Sequence, residues 1–170
     1  MLVPACGPSA SDPYNGLASY RPPGNEYVLR YLAPPWRVDR SAGTTIRLII
    51  ERDGTRGIDG GGLIVIPKYM LDVSVAAGTA RALADADVAA LPGAGETLIA
   101  GPRPIATDSG DLGFDVVARG ALPGARSRRY VSLDSARGGV VRLVFEANPD
   151  LDDPEVAQMI RHCDVAPEAP

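Results

Sequence analysis

The side chains able to do chemistry are few, and their spacing decides what they can do together. A single histidine, His162, stands beside Cys163 in the final helical pattern of the chain. Adjacent helical residues point roughly 100° apart, so the two cannot form a nucleophile and base pair directly. Cys163 continues an apolar stripe and is expected to be a buried thiol. His162, in the last turn, is favoured there when protonated. The acids Asp150, Asp152, Asp153 and Glu155 offer oxygen ligands of the kind calcium takes. They lack the EF-hand order and its central glycine, and Asp153 is needed as a helix cap. Asp108, Asp111 and Asp115 invite the same thought, but a polar turn leading into a strand explains them equally well. The glycine-rich run at residues 52–62 lacks a Gly-Lys-Ser or Gly-Lys-Thr ending, and a strand pattern, Leu63 to Pro67, follows it where a phosphate loop needs a helix. It reads as a hairpin loop.

No metal or cofactor and no catalytic group are therefore expected, and the chain reads as a non-enzyme. The competing reading is a small-ligand or hydrolytic domain whose pocket lies between Gly57 to Gly62 and the acids at 108–115. The best surface candidate is a concentration of arginines: Arg126, Arg128, Arg129, Arg137 and Arg142. Guanidinium groups hold carboxylates in a two-pronged geometry, which suits a protein partner with an acidic surface. The alternative is a solvated face, where scattered charges contribute little.

Most of these arginines lie on a pattern that must position them. Arg129, Val131 and Leu133 alternate with Tyr130 and Ser132, residues 134–139 supply turn chemistry, and Val141, Leu143 and Phe145 alternate with Val140, Arg142, Val144 and Glu146. A period of two over both runs predicts a hairpin with one better-buried face. Asn148 and Pro149 stop the second strand. Asp153-Pro154-Glu155 then starts a helix, with a capping carboxylate, proline at the first position and an acid in the first turn. Val156, Met159, Ile160 and Cys163 form the stripe that docks it on the sheet.

Upstream, strands are expected over residues 26–32, 44–51 and 112–119, the last with Leu112, Phe114, Val116 and Ala118 on one face. Residues 96–107 are extended but carry Pro102 and Pro104, which suit a sheet edge or bulge. The alanine-rich run Thr79 to Leu91 predicts a helix bounded by Gly78 and Pro92. Trp36, after two prolines, is expected to anchor a turn against the core. Residues 1–25 read as a flexible lead, 26–165 as one domain and 166–170 as a tail. The 170 residues suit a single domain with its own core. The net charge of -4 excludes the basic footprint of a nucleic-acid binder. No apolar run approaches the ~20 residues of a bilayer span.

Within the lead, Leu2-Val3-Pro4-Ala5-Cys6-Gly7 is similar to the end of a bacterial lipoprotein signal, where small residues precede a cysteine that becomes lipidated. On that reading the protein is exported and membrane-anchored through Cys6 on the periplasmic or extracytoplasmic side. An incidental cysteine in an ordinary terminus is the plainer reading. A disulfide between Cys6 and Cys163 is the third, and it excludes lipidation.

The run from Arg128 to Ile160, with Tyr31-Leu32-Ala33-Pro34-Pro35-Trp36 upstream, resembles the PsbP/Mog-like family over residues 26–163. The resemblance implies an α+β fold, an α/β/α sandwich with a central, mainly antiparallel sheet flanked by helices. Members include an extrinsic photosystem II subunit, a Ran-binding protein and exported bacterial lipoproteins. It implies no catalytic motif, and with one histidine no multi-histidine metal site has a counterpart. The function expected is that of an accessory envelope lipoprotein that docks on, or stabilises, a membrane-associated protein complex.

Overall fold

The computed structural model describes residues 14, 16–33, 36–39, 46–50, 55–59, 62–66, 69–122, 125–147 and 154–165. Cys6, Pro34, Pro35, Asp150, Asp152 and Asp153 lie outside them. The period-two run after residue 126 folds as expected. Strands β10 (Ser127–Asp134) and β11 (Val140–Ala147) pair antiparallel, with Arg128 opposite Glu146 and Leu133 opposite Val141. Val131, Leu133, Val141, Leu143 and Phe145 are all buried in one cluster. At ~1.5–3 kcal/mol for each large apolar side chain taken from water, that face is the main source of stability.

The hairpin sits inside a seven-stranded sheet in the order β3-β4-β7-β11-β10-β9-β8. Its other members are β3 (Arg37–Asp39), β4 (Ile46–Ile50), β7 (Tyr69–Ala76), β8 (Glu96–Ala106) and β9 (Leu112–Gly120), and every pairing is antiparallel. A three-stranded sheet joins β1 (Ala18–Tyr20), β2 (Tyr27–Tyr31) and β12 (Asp164–Val165), and β5 (Thr55–Asp59) pairs with β6 (Gly62–Ile66). The fold is mixed α+β and mainly antiparallel. Residues 96–106 form the edge strand foreseen from their prolines, and its ladder shifts register twice, between Leu98 and Ala100 and between Ala100 and Arg103.

Helix α1 (Ala80–Ala90) starts where Thr79 caps it, its hydroxyl accepting from the Ala82 N–H at 3.2 Å. Its small residues Ala80 and Ala84 are buried against β8 to β10. Helix α2 (Pro154–Arg161) buries Val156, Met159 and Ile160 in the cluster that holds Leu29, Phe145 and Leu143. Trp36 is 1% exposed in the same cluster, and its indole N–H donates to Glu155 in the first turn of α2 at 3.1 Å. The first-turn acid thus serves the tryptophan as well as the helix.

Several expectations need correction. Ala18–Tyr20, inside the expected flexible lead, is a strand because Tyr20 and Ala18 pack on the core. Residues 69–76, for which no element was expected, are β7, which pairs with both β4 and β11 in the middle of the sheet. The glycine-rich run is partly strand, since Thr55–Asp59 pairs with Gly62–Ile66 and only residues 60 and 61 lie between them. Leu112 begins its strand exposed, whereas Val116 and Ala118 on the same face are buried. His162 and Cys163 lie just past the last residue of α2.

Candidate functional site

Two successive strand pairs place the arginines of the hairpin among carboxylates. Arg128 stands opposite Glu146 in the β10–β11 register, the arrangement in which cross-strand opposite charges attract. Its Nε donates to Glu146 at 3.0 Å, and its NH1 group donates to Glu96 of β8 at 2.7 Å. Arg126 pairs with the same Glu146, and the Tyr130 hydroxyl donates to Glu96 at 2.8 Å. The carboxylates form the floor. The Glu96 side chain is 6% exposed and that of Glu146 16%, while Arg128 keeps 38%. A guanidinium, not a carboxylate, is therefore what the array presents to solvent.

The electrostatics follow from that layering. Burial pushes Glu146 up, but the hydrogen bonds and charges of Arg126 and Arg128 win and hold it below the ordinary carboxylate range. Burial pulls Arg128 down, and its bonds with Glu146 and Tyr130, with the charges of Glu146 and Glu96, raise it above the usual arginine value. Burial and the Glu96 hydrogen bond raise Tyr130, so its phenol stays protonated. The array borders an open cleft of about 330 Å³ between the end of α1, the start of β8 and the end of β9, lined by Gly95, Glu96, Gly120, Leu122, Arg126 and Arg128.

Of the remaining arginines, Arg129 and Arg137 stand apart, and Arg142 touches the array through the Tyr130 ring, 5.5 Å from its guanidinium. Arg129 points to the alternate side of β10 and grips Asp115 with two bonds of 2.9 and 3.0 Å. Arg103 reaches the same fully buried carboxylate at 2.7 Å. Arg142 pairs with Asp87 of α1, and burial outweighs that partner enough to raise Asp87 above the usual carboxylate value. Arg137, at the β10–β11 turn, donates to the Asn25 carbonyl at 3.3 Å. The sequence thus located the cationic side of the array and missed its anionic floor. Glu146 was legible from the hairpin register, but Glu96 comes from a distant strand and left no local signal.

The acids near residue 110 are spent separately. Asp108 lies 2.9 Å from His162 Nδ1, at ion-pair distance but without the alignment of a hydrogen bond, and 3.3 Å from Arg161. Asp111 accepts from the Val165 N–H at 2.8 Å. Asp115 is the buried partner of Arg129. The His162 ring also packs edge-on against Tyr14, which lies under Arg30. These contacts fasten α2 and β12 to the β8–β9 turn. Among the described residues no group of three or more His, Cys, Asp or Glu side chains is placed to hold a metal.

The chain leaves for the β5–β6 hairpin and for the acidic turn from opposite ends of the large sheet. The β4 and β7 ends that lead to the β5–β6 hairpin, Ile50 and Tyr69, lie on the cross-sheet row of Ala147, Ser127 and Arg119. The acidic turn follows the opposite row, that of Val75, Val141, Leu133 and Gly113. Cys163 is a free, fully buried thiol pushed up to about 12, first by burial and then by the charges of Asp111 and Asp164. Cys6, the other half of the bridge considered for it, lies outside the described residues. Among the described residues no helix is long and apolar enough to cross a membrane.

No protein-family model matches the chain, and no curated protein matches it.

Proposed function

We propose that this chain is a non-enzymatic docking domain, tethered to an envelope membrane through a lipid on Cys6, that binds an acidic surface of a membrane-associated protein complex. The observation that carries the docking part is the layering of the array: Glu96 and Glu146 lie beneath, and Arg128 is the more exposed member. Fixed guanidiniums over a buried carboxylate floor are pre-ordered for a carboxylate partner, which lowers the ordering cost of association. The sandwich reading has support from the side chains of β11. Arg142 reaches α1 through Asp87, while its neighbours Val141 and Leu143 join the cluster that contains α2. A layered domain of this kind, with a sheet between helices, is what the PsbP/Mog-like resemblance calls for. The lipid arm rests on the Leu2 to Gly7 pattern alone; stable anchoring takes more than one acyl chain.

The test uses the full-length product from its native cell. Detergent partitioning with an intact mass raised by acyl groups on Cys6 is the expected result, and a water-soluble product with unmodified Cys6 removes the anchor. For docking, the chain and its Arg126→Gln variant are cross-linked in the cell and their partners compared by mass spectrometry. Arg128 still holds Glu146 in that variant, so the fold stays intact. Loss of one defined partner is expected, and an unchanged partner set overturns the acidic-surface reading.

A further inference from the structure

Strand β8 ends the seven-stranded sheet, with β9 as its one strand partner among the described residues. An open edge of this kind templates another strand unless it is defended by proline, bulges or charge. The defences of β8 are uneven. Pro102, Pro104 and the register shift before Arg103 fall in its second half, while the first half has only the register shift between Leu98 and Ala100. The stretch from Thr97 to Ala100 carries no proline and no charge, and it exposes Leu98 at 40% and Ile99 at 56%. The arginine-lipped cleft opens at the Glu96 end of this stretch.

We infer that the first half of β8 accepts an extended peptide segment of a partner as an added antiparallel strand, whose C-terminal acidic residues enter the cleft beside Arg126 and Arg128. Direction follows from the geometry. β8 runs away from the cleft, so a strand paired antiparallel with it runs toward the cleft and delivers its C-terminal end there. Ladder bonds supply affinity and the side pockets supply choice, as in strand addition generally. Leu98 and Ile99 ask for β-branched or apolar side chains, and the outward guanidiniums ask for carboxylates. A second copy of this chain fits poorly. Antiparallel self-pairing centred on Leu98 carries each copy's Arg103 toward the other's Arg126 and Arg128, setting like charges together, and places prolines where ladder donors are needed.

This inference rests on the docking reading and specifies its partner. The test uses three synthetic peptides with blocked ends: a Val-Thr-Val-Thr-Val core followed by two aspartates, the same core followed by two lysines, and the same core preceded by two aspartates. Calorimetry is expected to give the C-terminal aspartate peptide an affinity at least tenfold above the other two. Amide shifts in an NMR titration are expected along residues 96–100 and 126–128. Ile99→Pro is expected to lower that affinity tenfold or more with an unchanged circular dichroism spectrum, and the wild-type NMR map decides the matter if that variant fails to fold. Equal binding of all three peptides, preference for the N-terminal aspartates, or shifts elsewhere overturns the inference. So does a concentration-dependent dimer that perturbs the same amides, since the edge then belongs to a second copy. If the Arg126→Gln chain loses its cellular partner while no peptide binds, strand addition fails and docking through the arginine array stands.

Discussion

Asp115 is the residue on which the chain commits most charge. Its carboxylate is fully buried and is gripped by Arg129, whose side chain is 16% exposed, and by the half-exposed Arg103. Removing one member of a buried pair leaves the other charge without compensation, which costs about 3–5 kcal/mol. Asp115→Asn is expected to lose about 3 kcal/mol in urea unfolding, while Arg103→Gln, which leaves the more buried pair intact, loses about 1 kcal/mol or less. Equal losses from both would show that burial of the Arg129 pair is not what matters. The sequence placed Asp115 in an acidic turn because nothing near it announces a buried counter-ion; Arg129 meets it only after β9 and β10 pair. Cys163 was legible, since its place on the stripe after Ile160 marks an inward position. With its thiol pushed up to about 12 by burial, Cys163 in a Cys6→Ser chain is expected to resist a disulfide-exchange reagent until urea unfolds the protein. Rapid labelling of the native form would place it at the surface instead.

Helix α1 shows at the scale of an element how local and distant signals divide. The alanine run between Gly78 and Pro92 fixed its position to within a residue, because alanine propensity and its breakers are local signals, while the structure shows Thr79 as the cap and not the first helical residue. A second cap was invisible: the Asp134 carboxylate, at the far end of β10, accepts from the Ala80 N–H at 2.7 Å. Thr79→Ala is expected to cost about 1 kcal/mol, and Asp134→Ala about 1.5–3 kcal/mol because it removes a charge-assisted bond. Because both serve the same helix end, the double variant is expected to depart from the sum of the two, as measured by a double-mutant cycle in denaturant. Strict additivity would uncouple the caps. Strand β7 was missed for a related reason. Its residues Leu71 and Val73 alternate with Asp72 and Ser74, a strand pattern, but the run stands directly before the alanine-rich helix and was assigned no element. The glycine in the β8 irregularity was likewise unreadable as a constraint, although Gly101 has φ of +101° and a Cβ there would sit 2.3 Å from the Asp115 carbonyl oxygen.

Across the whole molecule, two carboxylates with opposite effects, Glu146 on the sheet and Asp87 on α1, shape how stability responds to pH. Glu146 is held below the ordinary carboxylate range in the folded state, so its contribution is fully present above the unfolded value of about 4.3 and is lost as pH falls through the lower folded value. Asp87 has the opposite sign. Its folded form holds a proton more tightly than the unfolded chain, because burial beneath α1 outweighs Arg142, so stability falls as pH rises from the unfolded value through the raised one. The two residues stand on the same hairpin face through Arg126, Arg128 and Arg142, yet they pull the acid limb in opposite directions. Glu146→Gln is expected to cost about 2 kcal/mol at neutral pH, from its two charge-assisted bonds, and to converge with the wild type on acidification. Asp87→Asn keeps an acceptor for Arg142 and is expected to gain stability relative to the wild type between about pH 4 and neutrality. Urea unfolding across that range reads both variants at once. If both shift the acid limb in the same direction, the account of burial outweighing Arg142 at Asp87 is wrong, and the arginines would then lower every carboxylate they touch.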